Sequence, residues 1–162
     1  IEDCVNVDMT ARTNPDVVHD LNAIPWPFED NQFEEVLAYD VVEHLDSMLS
    51  FMSETHRVCR PGATVTITTP HFSSANSFVN PTHTRHLSVR SFDYFTGDNE
   101  WGFYLDKRFA KRQVNLVFYP TVVNTLVTRL ANRYPEAYEQ RWAWMFPAWF
   151  IYAELTVDKS RA

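Results

Sequence analysis

The chain has 162 residues, 45% of them hydrophobic and 22% charged, with a formal net charge of −7, which is enough apolar material for the core of one domain. Two cysteines, Cys4 and Cys59, form no CxxC pair and argue against a disulfide framework or a cysteine-built zinc site. Three glycines, Gly62, Gly97 and Gly102, cannot compose a glycine-rich phosphate loop, and the 13 Asp/Glu set against Arg12 alone in residues 1–54 disfavour nucleic acid as a partner.

From the start, Cys4-Val5-Asn6-Val7-Asp8 alternates and ends in an acid, so it reads as a strand carrying a carboxylate to the edge of a sheet. Thr10 to Asp16, with Pro15, is loop. Val17-Val18-His19-Asp20-Leu21 is a second short strand with an acid near its end; His19 faces away from Asp20 and is read as structural. Pro25-Trp26-Pro27-Phe28 is a rigid connector, and Glu29-Asp30-Asn31 turns the chain into Val36-Leu37-Ala38-Tyr39, an apolar run of the kind buried on both faces in a parallel sheet. That run stops at Asp40.

Leu45, Met48, Leu49, Met52, Thr55 and Cys59 then recur at helical spacing, with Asp46 or Ser47 placed to cap and Pro61-Gly62 placed to end the helix. Thr64 to Thr69 is rich in β-branched residues and stops at Pro70, completing a βαβ crossover whose two strands are expected to be parallel neighbours. In an open parallel sheet ligands bind beyond the carboxyl ends of the strands, so Asp40 and His71 stand near any active site.

After Pro70 the sequence turns polar through His71-Phe72-Ser73-Ser74-Ala75-Asn76 and Asn80-Pro81-Thr82-His83-Thr84-Arg85-His86. Residues 71–112 are expected to form a substrate-facing insertion within a single domain of residues 1–162, with His83 and Arg85 as substrate-binding candidates. No metal site is expected: a set of Glu43, His44 and His56 fails because His44 and His56 would lie about 18 Å apart on one helix at 1.5 Å per residue, and His71, His83, His86 and Asp93 match no tight ligand spacing. Val89 to Thr96 has helical character, 98–102 a turn, and Arg108 to Tyr119 the alternation of a strand. Thr121 to Tyr134 sets Val122, Val123, Leu126, Val127 and Leu130 on one face of an amphipathic helix. The aromatic stretch Trp142 to Ala153, broken by Pro147, is too short to cross a bilayer and is expected to cover the sheet, with exposed aromatics as a contact surface the other reading; Glu154 to Val157 reads as a final strand.

Four segments carry a family resemblance: Pro27-Phe28-Glu29-Asp30-Asn31-Gln32-Phe33, Tyr39-Asp40-Val41-Val42-Glu43-His44-Leu45, His56-Arg57-Val58-Cys59-Arg60-Pro61-Gly62, and Ile67-Thr68-Thr69-Pro70. In this order and spacing they resemble the middle of a class I S-adenosylmethionine (SAM) dependent methyltransferase, over roughly residues 5 to 75. The resemblance implies an α/β fold, a Rossmann-like doubly wound, mostly parallel sheet, and SAM as the cofactor. It places Asp8 at the ribose, Asp20 at the adenine amino group, and Asp40 and Val41 at the methionine part, with Met9 and Leu21 as further cofactor-binding residues and Glu43 and His44 starting the helix. It makes His71 the candidate general base, since methyl transfer from a sulfonium needs an unprotonated nucleophile and an imidazole can take its proton.

The family's first strand and glycine-rich loop would precede Asp8 by about 20 residues, whereas seven residues precede it here. The expectation is a cytoplasmic methyltransferase domain truncated at its amino terminus, acting on a small or polar acceptor, with an open sheet edge through which a homo-oligomer could form. The alternative is a non-catalytic fragment or self-associating module.

Overall fold

The computed structural model describes residues 4–96 and 108–160. The expected turn at 98–102, and part of the expected insertion, lie outside the described residues. Strands β1 (Val7–Asp8) and β2 (Val17–Val18) form a two-stranded parallel sheet. A second sheet holds β3 (Phe33–Tyr39), β4 (Cys59–Pro70), β5 (Arg108–Val117) and β6 (Phe150–Asp158) in the order β3-β4-β6-β5. The β3–β4 pair is parallel, whereas β6 runs antiparallel to both β4 and β5, so the pairing is mixed. The α-helices among the described residues are α1 (Met48–Val58), α2 (Asn76–Val79), α3 (Val122–Arg133) and α4 (Pro135–Arg141).

The sheet's centre follows from its sequence. Val65 and Ile67 of β4 are fully buried, as are Ile151, Ala153 and Leu155 of β6, whose alternation carries one face into the core. Helix α1 lays Phe51, Met52 and Val58 on that core. Ser47 caps it by accepting the Ser50 N–H at 3.1 Å.

Several boundaries differ from the sequence reading. Glu43 and His44 do not start α1; they form a separate 3-10 turn over Val42–His44, because Leu45 is extended before Ser47 caps the helix. Helix α1 ends at Val58, before Pro61-Gly62, and Cys59 is already extended. Pro61 and Gly62 instead lie in a bulge of β4: Phe33 pairs with Cys59, but Glu35 pairs with Thr64. Gly62 has φ +81°, which explains glycine at that bend. Strand β6 begins at Phe150, earlier than Glu154, since Phe150 to Ala153 find partners in both β4 and β5. The expected insertion boundary at 112 falls inside β5.

The apolar stripe of α3 points mostly outward: Val122 is 93% exposed and Leu126 63%, while Ala131 is buried. The helix is attached by a polar clasp as well, because the Asn132 amide accepts the Leu116 N–H at 2.7 Å and donates to the Leu116 carbonyl at 2.9 Å, capping the outer edge of β5. No helix among the described residues is long and apolar enough to cross a membrane.

Candidate cofactor and acceptor site

The site grows from the exit of β3. Asp40 ends the strand with φ +54°, a left-handed conformation that Asp tolerates better than most residues. Its N–H still bonds to the Thr68 carbonyl at 3.0 Å, so the break comes one residue after the ladder. The chain then enters the 3-10 turn, which drives Glu43 into the interior at 1% exposure. There Thr69, at the end of β4, donates its hydroxyl to Glu43 Oε2 at 3.0 Å.

Residues 80–86 fold back onto this turn. The Thr84 N–H donates to the Glu43 carbonyl at 2.9 Å, and Arg85 Nε donates to the Leu45 carbonyl at 2.8 Å. His44 Nδ1 lies 2.9 Å from Thr82 Oγ1, and the His44 and His83 rings meet edge-on at 4.6 Å. The outcome is a cluster in which Glu43, His44 and His83 hold ligand-capable atoms within 4.8 Å of one another. Burial pushes the Asp40 carboxyl above the usual range, with His83 and His44 opposing. Burial also raises that of Glu43, against its own backbone N–H and the Thr69 hydroxyl, and the negative charge of Asp40 adds to the rise.

The nucleoside candidates sit at the ends of the small sheet. Asp8 Oδ1 accepts the Thr10 N–H at 2.9 Å and Asp20 Oδ1 accepts the Asn22 N–H at 2.9 Å, two Asx turns that hold each carboxylate at a strand exit. In both, the other carboxylate oxygen has no partner among the described residues. Asn22 in turn accepts the Asp46 N–H at 2.8 Å, bringing the Asp20 turn against the exit of β3. Met9 is 72% exposed, while Leu21 and Val41 pack partly against the core.

Two candidates stand elsewhere than expected. His71 is fully buried and cannot meet an acceptor in this form. Its Nδ1 receives the Ser73 N–H at 3.2 Å and lies 2.8 Å from Ser73 Oγ, and its Nε2 lies 3.2 Å from Glu139 Oε1. A backbone donor on Nδ1 assigns the proton to Nε2, so the lone pair is already engaged by the protein in this arrangement. Arg85 commits Nε to the backbone of Leu45 and serves to hold the loop. The other groups weighed for a metal are scattered: His56 Nε2 lies 3.0 Å from the Asp158 carbonyl, His86 Nδ1 lies 2.8 Å from Ser77 Oγ, and Asp93 pairs with Lys111. Sequence reasoning missed the meeting of Glu43, His44 and His83, since nothing in their spacing signals it.

Residues 4–67 match the family profile described as "Methyltransferase domain". The chain superposes on a SAM-dependent methyltransferase from Archaeoglobus fulgidus with a TM-score of 0.62 at 16% identity, over 93% of this chain and 74% of that one. On one from Mesorhizobium loti the TM-score is 0.55 at 13% identity, over 93% and 78%. These superpositions define the fold, that of the class I SAM-dependent methyltransferases, and residues 4–67 carry the sequence likeness to the methyltransferase domain. Among curated proteins it is similar to a "Probable S-adenosylmethionine-dependent methyltransferase" of Mycolicibacterium smegmatis, 36% identical over 72 residues. That match covers 42% of this chain and 28% of the relative's length.

Proposed function

We propose that the chain transfers the methyl group of SAM to a small or polar acceptor in the cytoplasm. The observation that carries the reading is the recurrence of an acid at or just beyond the carboxyl ends of three strands, each a member of a parallel pair: Asp8 at β1, Asp20 two residues past β2, and Asp40 past β3. Ribose hydroxyls and an adenine amino group are donors, and Asp8 and Asp20 offer them carboxylate oxygens that no described protein group takes, so these residues fit a nucleoside. Met9 and Leu21 would flank it with apolar surface, and Asp40 and Val41 would meet the methionine part. Bound SAM supplies an electrophilic methyl on a sulfonium. The protein's share is placement of the acceptor beside the exit of β3, with His83 on the acceptor side.

Titration calorimetry with SAM and with S-adenosylhomocysteine tests this. One binding site is expected, with Asp8→Ala and Asp20→Ala each weakening affinity by at least about tenfold, the loss of a charge-assisted hydrogen bond. Equal affinity in parent and variants would sink the assignment.

A further inference from the structure

Glu43, His44 and His83 were brought together by the fold, and two of the three keep a buried polar atom without a hydrogen-bond partner. Glu43 is 1% exposed, yet its Oε1 has no hydrogen-bond partner, and neither has the buried Nδ1 of His83. Buried polar atoms are rarely left so, and two in one cluster ask for a common partner. The remaining atoms are already oriented. Thr69 holds Glu43 Oε2, leaving Oε1 as the free oxygen. Thr82 donates its hydroxyl proton to Asn80 Oδ1 at 2.9 Å, so its oxygen accepts from His44 Nδ1–H and leaves His44 Nε2 with its lone pair. Hydroxyls that fix a carboxylate and an imidazole in this way are the supports that metal ligands use.

We propose that Glu43, His44 and His83 bind a divalent transition-metal cation, with zinc as the reference ion. Two imidazoles and one carboxylate suit zinc better than magnesium or calcium, which prefer all-oxygen sites. With metal–ligand bonds of about 2.1 Å in tetrahedral geometry, ligand atoms stand about 3.4 Å apart. Their present separation, at most 4.8 Å, closes with less than about 1 Å of movement from each side chain. The loop bonds from Thr84 and Arg85 keep both walls of the site in register during that closure. Asp40 lies within electrostatic reach of both imidazoles and adds a negative charge beside the ion. Three protein ligands leave a coordination position open, the arrangement in which a bound water or acceptor heteroatom loses its proton near neutral pH. The site stands on its own geometry and does not depend on the methyl-transfer reading.

The test is Zn²⁺ titration of the chelator-treated, desalted chain by calorimetry, with Co²⁺ absorption as a second readout. One equivalent of Zn²⁺ is expected, and His83→Ala and Glu43→Gln each weaken binding at least about tenfold, while His86→Ala, outside the cluster, leaves it unchanged. Circular dichroism confirms that each variant is folded. Should Glu43→Gln unfold, the parent's cobalt spectrum decides: visible bands of imidazole-bound, low-coordinate cobalt support the site, and the spectrum of aqueous cobalt overturns it. Parent affinity retained in folded His83→Ala, or no Zn²⁺ uptake by the parent, also overturns it.

Discussion

Glu54 Oε2 accepts the backbone N–H of Trp26 at 2.7 Å and the Arg57 guanidinium at 2.8 Å, so one carboxylate on α1 fastens the proline-rich connector to the helix. Arg57 completes the clamp by donating to the carbonyls of Phe28 and Trp26. This junction sets the path of the connector between the Asp20 turn and β3. The Arg57 bonds hold the Glu54 carboxyl below its usual range, with the Trp26 N–H assisting and burial opposing.

A lowered folded-state pKa means that Glu54 stabilises the protein above its unfolded value near 4.5 and that this contribution is lost as pH falls through the folded value. Glu54→Gln is expected to cost about 1–3 kcal/mol at pH 7. Urea denaturation of parent and variant should show the gap shrinking toward zero in the acid range. A gap constant from pH 7 to pH 3 would deny the ion pair its role.

His71→Ala is expected to lower stability by about 2–4 kcal/mol, through a lost ring and a Glu139 carboxylate left with the Val89 N–H as its remaining bond. SAM affinity of the folded variant should stay within about twofold of the parent, because the ring's partners are Ser73, Glu139, Phe72 and Tyr138 rather than Asp8, Asp20 or Asp40. Intact stability with a large loss of methyl transfer would mark His71 as the base.

The two thiols should separate cleanly. Burial pushes the Cys59 thiol up to about 11, with Lys159 opposing, whereas Cys4 is exposed. The thiolate is the reactive form. Native protein at pH 8 is expected to take one equivalent of iodoacetamide, at Cys4, and a second only in denaturant; mass spectrometry of the two peptides reads it. Comparable native rates at both cysteines would show that β4 opens at its bulge.

Gly62→Ala isolates backbone strain. An added Cβ meets nothing within 4 Å, so the cost is that of φ +81° alone, about 1–2 kcal/mol, and Gly62→Asn should cost less. A loss beyond about 3 kcal/mol in urea denaturation would mean that the substitution shifts the β3–β4 register.

How far the sequence reads is visible at three places. The β3–α1–β4 unit was legible because apolar runs, 3.6-residue periodicity and a Ser47 cap are local signals. The exposed stripe of α3 was not: periodicity shows that Val122, Leu126 and Leu130 share a face, but a stripe does not say what lies opposite it. The bulge at Pro61-Gly62 read as a helix end, since both features need the same turn residues.

By itself the sequence determined the crossover unit, the acids at the strand exits and the likeness to methyltransferases, all of which rest on residues close together in the chain. Only the tertiary structure decided that His71 is enclosed by Ser73 and Glu139, the latter 68 residues away. It alone brought His83 to Glu43 and His44, through a loop whose Thr84 hydroxyl reaches the Glu43 carbonyl across 41 residues. Contacts of that span depend on how loops return over the sheet, and the side chains that form them carry no periodic mark of their partners.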